Sequence, residues 1–90
     1  MKKVVVTTSH RGVFFGDLES RDSNTVVLKN ARNCAYWSSS TKGFLGLAEK
    51  GPQDGSKVGP SVPRLELFDV TSISDCSESA VEKWENGTWK

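Results

Sequence analysis

Histidine and methionine occur once and cysteine twice in these 90 residues, which removes much of the chemistry that side chains perform. A structural zinc site needs about four nitrogen or sulfur ligands, usually in close pairs. Cys34 and Cys76 stand far apart and His10 is alone, so neither a metal nor any other cofactor is expected. Two cysteines are also too few for the disulfide framework of a small secreted domain. Both read as free, buried, apolar residues. Neither sign of charge is in excess: 12 Lys and Arg against 11 Asp and Glu leave a formal +1. That balance argues against a strongly basic nucleic-acid binder, although a sum does not exclude a local basic patch. No apolar run approaches the roughly 20 residues that cross a bilayer. Val4-Val5-Val6 follows Lys2-Lys3 but stops at Thr7, too short for the core of a signal peptide. The expectation is a cytosolic protein without a membrane partner.

A chain of this length makes one domain, residues 1–90, with a thin margin of stability. Lacking a metal or a disulfide, it is expected to gain support by self-association as a symmetric homo-oligomer. The β-branched run Val4 to Thr8 predicts a first strand over 3–9. His10-Arg11-Gly12 supplies a turn, and 13–19 reads as a second strand with Phe14 and Leu18 on one face and Val13, Phe15 and Asp17 on the other. Gly16 in its middle marks a bend or bulge. Strands are expected at 25–29 and 33–38, and a fifth over 64–70 that resumes at 71–76. Between them, 38–63 holds five glycines and all three prolines, Pro52, Pro60 and Pro63. So many breakers predict a long loop, interrupted by a short helix near 44–49. A C-terminal helix over 77–85 fits, with Asp75 and Glu78 as its capping box and Asn86-Gly87 as its stop. Val81 and Trp84 face the core from it. The fold class that follows is mainly β: a small five-stranded SH3-like or Sm-like barrel with a long Gly/Pro-rich loop and a short C-terminal helix.

Catalysis needs a positioned acid, base or nucleophile, usually in hydrogen-bonded pairs. His10 sits in a turn beside Arg11, Cys34 has no base near it in sequence, and Ser38-Ser39-Ser40 lacks a nucleophile-elbow context. The acidic residues show no ligand spacing. The chain therefore reads as a non-enzymatic binding protein. Its candidate ligand-binding residues crowd where strands end: Asn30, Arg32, Asn33, Tyr36, Trp37, Ser38 and Lys42, with His10, Arg11 and Lys57 beside them. Arg32 leaves the barrel where an anion could meet its guanidinium, and the lysines add point charges for phosphate. Tyr36 and Trp37 can stack on a base, while Trp37 equally fits a core position. Glycines 43, 46, 55 and 59 leave backbone N–H groups open to phosphate oxygens.

Two resemblances extend this reading. Gly16-Asp17-Leu18-Glu19-Ser20-Arg21-Asp22 followed by Val26-Val27-Leu28-Lys29-Asn30 resembles the turn and strand of the bacterial Sm-like RNA chaperone. Its Tyr-Lys-His signature corresponds to Tyr36-Trp37-Ser38, without the basic pair. Across nearly the whole chain, phrases such as Thr7-Thr8-Ser9-His10-Arg11-Gly12-Val13-Phe14-Phe15-Gly16 and Lys42-Gly43-Phe44-Leu45-Gly46-Leu47-Ala48 resemble a family of small uncharacterised bacteriophage proteins. So do Asn30-Ala31-Arg32-Asn33-Cys34 and Ala80-Val81-Glu82-Lys83-Trp84-Glu85. That resemblance implies a phage accessory protein in the cytoplasm of an infected bacterium. The expectation is a homo-oligomer that sequesters a small nucleotide-like ligand, such as a nucleotide-derived host immune signal. An Sm-like RNA-binding protein, with RNA as partner, and a protein–protein adaptor that inhibits a host enzyme are the alternatives.

Overall fold

A computed structural model describes residues 1–10 and 12–89. Three strands form a meander: β1 (Lys3–Thr8), β2 (Val13–Arg21) and β3 (Thr25–Tyr36). A 3-10 turn at Ser39–Thr41 leads into helix α1 (Gly43–Glu49), then the short β4 (Lys57–Val58). Strands β5 (Val62–Phe68) and β6 (Val70–Asp75) follow, and α2 (Glu78–Glu85) closes the chain. All ladders are antiparallel, in the order β4-β3-β2-β1-β6, with β5 also paired to β3. The protein is thus mainly β, as expected, but its six strands form a sheet that does not close into a barrel.

The sheet curls strongly all the same. β5 lies on β3 and β6 on β1, at opposite edges, yet Asp69 alone separates them. Asp69 takes a left-handed backbone with φ 56°, and its carbonyl accepts the Ser9 N–H at 3.0 Å. On the concave side Val4, Val6, Val26, Leu28, Ala31 and Leu67 are buried together, and Phe14, Leu18 and Ile73 pack on them. On the opposite side Val5, Val13, Phe15 and Cys34 pack under α1, β4 and α2 through Leu47, Val58 and Trp84. Both faces of β1 are therefore covered, which is why its valines run unbroken instead of alternating with polar residues.

Where two strands are expected over 25–38, the structure has one strand of 12 residues. Asn30, at φ 52°, bends it without ending it. Its first half pairs with β5 and its last residues with β4. The bulge expected at Gly16 is present as a register shift between Phe15 and Asp17. A Cβ on Gly16 would lie 2.9 Å from the Lys29 carbonyl oxygen, so only glycine allows that approach.

The segment expected as a long loop is held down along its length. Thr41, Leu47 and Val58 are buried in it, and Thr41 Oγ1 accepts the Gln53 N–H at 3.1 Å. Ser77, not Asp75, caps α2, its hydroxyl accepting the Ala80 N–H at 3.1 Å. The same residue holds the end of α1: its N–H donates to the Ala48 carbonyl at 3.0 Å and its hydroxyl to the Glu49 carbonyl. Trp84 joins all three layers. It is fully buried, stacks on Phe15 with ring centroids 5.0 Å apart, and donates its indole N–H to the Leu47 carbonyl at 2.9 Å. Trp84→Ala is expected to cost about 3–5 kcal/mol in urea unfolding. Phe68→Ala, at an exposed ring, should stay within about 0.5 kcal/mol of the parent.

Candidate functional site

A ligand-sized cleft of about 440 Å³ opens between the β1–β6 ladder and the start of α1. Trp37, Phe44 and Val13 supply its apolar walls, and Thr7, Thr8, Thr71 and Ser72 supply hydroxyls. Trp37 is half-buried and packs on the helix-side core, whereas Phe44 is 40% exposed at the rim. The hydroxyls meet because the β1–β6 register slips: Thr7 pairs with Ser72 and Thr8 with Val70, leaving Thr71 as the extra residue of a bulge. A bulge re-aims a side chain, and here it puts Thr71 Oγ1 2.7 Å and Ser72 Oγ 2.5 Å from Thr7 Oγ1. The floor is Gly12, where a Cβ would stand 2.4 Å from the Phe14 ring and 2.6 Å from Thr8 Oγ1. The cleft is preformed, since α1 is pinned through Leu47, Ala48 and Glu49.

Of the residues expected to bind a ligand, Trp37 lines this cleft. Lys42, with φ 69°, precedes α1 and Phe44. His10 is exposed in the turn beside the cleft, its Nε2 3.9 Å from Asp69 Oδ2. Arg11 lies outside the described residues. Ser38 donates its N–H to Ser56 Oγ at 3.1 Å and shares a hydroxyl contact with Ser40. Tyr36 pairs across β3 and β4 with Lys57, itself one of the expected residues. The Asn33 carbonyl receives the Gly59 N–H at 2.8 Å, so that residue fastens the chain after β4. Phe44 and the hydroxyl row were not among the expected residues. No local motif marks them, because the bulge that gathers the hydroxyls joins residues over sixty positions apart.

Arg32 is the clearest correction. Its guanidinium, expected to meet an anion, is committed to backbone carbonyls. Nε donates to Gly59 at 2.7 Å, Nη1 to Trp84 at 2.6 Å and Glu85 at 3.2 Å, and Nη2 to Gly87 at 2.8 Å. The Trp84, Glu85 and Gly87 carbonyls end α2 and its exit, where a cation also opposes the negative end of the helix dipole. Arg32 binds the protein to itself.

A second cleft, about 260 Å³, is lined by Lys3, Asp17, Asn30, Arg32 and Glu85 among others. Asp17 is nearly buried and accepts from Lys3 Nζ at 2.5 Å and from Asn30 Nδ2 at 2.9 Å. Burial alone pushes its carboxyl up, but the hydrogen bonds from Lys3 and Asn30, with the Lys3 charge, hold it below the ordinary 3.8. Lys3 moves the opposite way, its ammonium favoured by the Asp17 bond over the cost of burial. The site is a satisfied ion pair without an unpartnered base. The two thiols are no better placed for chemistry. Burial pushes Cys34 up to about 11, and burial beside Asp75 pushes Cys76 up to about 12, so both stay protonated near neutral pH. No group of three or more metal-ligating side chains occurs among the described residues, and no helix is long and apolar enough to cross a membrane.

Two outcomes follow from these contacts. Arg32→Ala should lower stability by about 1–3 kcal/mol in urea unfolding, because it strips the donors from several carbonyls at once. Arg32→Lys should recover little of that loss, since an ammonium lacks the planar fork. For Asp17, folding lowers the pKa, so its contribution is present above about pH 4 and lost as pH falls through the folded value. Asp17→Asn should flatten the decline of stability in acid, measured by thermal unfolding between about pH 2 and 5.

Residues 1–84 match a family model described as "Domain of unknown function (DUF6948)". Neither the curated proteins nor the solved structures include a match to the chain.

Proposed function

We propose that this chain, which belongs to the DUF6948 family of domains of unknown function, is a non-enzymatic binding protein that captures a small nucleotide-derived molecule in the Trp37–Phe44 cleft. The observation that carries the reading is one preformed concavity that is apolar on two walls and bears a row of hydroxyls on a third. Cleft volumes of about 300–1,000 Å³ suit small ligands. Trp37 and Phe44 offer faces on which a planar base stacks, and Thr8, Thr71 and Ser72 can each donate or accept a hydrogen bond at its polar edge. Capture needs no acid or base, and the protonated thiols and the satisfied Lys3–Asp17 pair offer none. The resemblance to small phage proteins supports a host signalling nucleotide as the target.

Self-association belongs to the same reading. β5 pairs only with β3 and β6 only with β1, so each keeps an outer edge of unpaired backbone groups among the described residues. Such edges recruit further strands, and the exposed Phe68 and Val62 lie on one of them. The one-residue join between β5 and β6 supports the small-barrel resemblance.

The test is calorimetry with a panel of mono- and cyclic dinucleotides. A planar ligand should bind, and Phe44→Ala should weaken it at least about 5-fold, the lower end for a lost stacking contact. Because Phe44 is exposed at the rim, its thermal midpoint should hardly move. Light scattering near ten kilodaltons would remove the oligomer, and a panel with no binder would remove the capture reading.

A further inference from the structure

The outer edge of β5 reads alike from both ends. Its sequence, Val62-Pro63-Arg64-Leu65-Glu66-Leu67-Phe68, has apolar residues at each terminus and opposite charges on either side of Leu65. One side of the strand pairs with β3, and no strand pairs with the other side among the described residues. The β6 edge has no such pattern, since Val70-Thr71-Ser72-Ile73-Ser74-Asp75 carries a single charge, at its end.

Proline decides which way the backbone groups of β5 point. Val62 pairs with Ala31 and Arg64 with Lys29. If the Val62–Ala31 pair did not exchange its own two bonds, a bond from the Pro63 N–H would flank it, and proline has no N–H. Val62, Arg64, Glu66 and Phe68 therefore bond to β3, and Leu65 and Leu67 turn their N–H and C=O groups to the open edge. The side chains alternate in the same way. Leu67 is buried in the concave core and Leu65 packs partly on it, whereas Val62, Arg64, Glu66 and Phe68 are exposed.

We propose that two copies of this chain pair through β5, antiparallel about a two-fold axis at Leu65. Val62 then lies across from the partner's Phe68, Pro63 from the partner's Leu67, Arg64 from the partner's Glu66, and Leu65 from its own copy. Every cross-strand pair is apolar with apolar or cation with anion, the kinds that stabilise a ladder. Leu65 exchanges both backbone bonds with its copy, and Leu67 donates to the carbonyl of the partner's Pro63. Arg64 Nη1 already donates to Glu66 Oε1 at 2.7 Å, and the pairing leaves that bond in place. A guanidinium has N–H donors, and a carboxylate lone pairs, beyond those that one bond uses, and both side chains are about half-exposed. The two ion pairs meet as a ring of alternating charge. A two-fold contact uses the same patch on both chains and closes on itself, and Pro63, which withholds an N–H, keeps the ladder short. One strand pair is small beside a standard interface of about 1,600 Å², so the dimer forms at high concentration and unfolding in dilute solution reads the single chain. Pairing through β5 rests on the self-association reading and shares no residue with the Trp37–Phe44 cleft.

Light scattering on the full chain from about 10 µM to 1 mM should show a rise towards twice the mass of one chain. Arg64→Glu and Glu66→Arg each set like charges across the axis and should each weaken the dimer at least about 5-fold. The double variant Arg64→Glu, Glu66→Arg restores opposite charges and should dimerise like the parent, as should an equimolar mixture of the two single variants. Thermal midpoints of the single variants in dilute solution should stay within about 2 °C of the parent, since both side chains are half-exposed. Amide exchange at Leu65 and Leu67 should slow as concentration rises. A parent that stays monomeric at the highest concentration overturns both this pairing and the self-association reading. An oligomer that neither single variant weakens, or in which the Leu65 and Leu67 amides exchange as in the single chain, overturns the β5 pairing and leaves self-association standing.

Discussion

The structure depends on one indole. Trp84 arrives from a helix of eight residues, too short to persist alone in water, and is buried completely against Phe15 of the sheet. Burying so large a ring yields a substantial share of the stability open to a domain this small. Its N–H donates to the Leu47 carbonyl, and an unpaired indole N–H in that place would cost about 1–3 kcal/mol. The same bond therefore fixes where α1 must lie. Sheet, α1 and α2 are placed by one side chain with an apolar body and a single polar handle.

The Trp37–Phe44 cleft and the C-terminal segment inherit their rigidity from that arrangement. α1 forms one wall of the Trp37–Phe44 cleft because Leu47 and Ala48 are locked beneath it. The Arg32 guanidinium gathers the carbonyls that Trp84, Glu85 and Gly87 leave at the end of α2. The chain beyond is then laid beside β4, with Trp89 outward. Ligand sites made from preset walls lose less entropy on binding than sites that must first be ordered. Here the ordering is done by core contacts and not by the binding residues themselves.

Arg32 also shows why residue type alone does not separate binding from structure. A guanidinium is a planar fork that suits phosphate or carboxylate, and it suits a helix C-terminus equally well, since clustered carbonyls present the same partial negative charge. Which of the two it meets depends on what the fold brings within about 3 Å. The acceptors here lie 27 to 55 residues away, beyond the range of any local pattern.

The sequence by itself determined what local chemistry controls. β-branched runs made the strands, Gly16 marked its bulge, and Asn86-Gly87 ended α2 close to its observed limit at Glu85. It also placed the apolar alternation of Phe14 and Leu18 against Val13 and Phe15, because side chains on a strand alternate by geometry alone. Tertiary structure decided everything that turns on distant partners: that β3 runs through Asn30, that the glycine- and proline-rich segment packs down over Thr41 and Leu47, and that Ser77 caps α2. It decided as well that Thr7, Thr71 and Ser72 share one bulge, and that Lys57 pairs with Tyr36 and reaches over Trp89. Breakers such as glycine and proline report where regular backbone stops. They carry no information about the surface on which the chain then comes to rest.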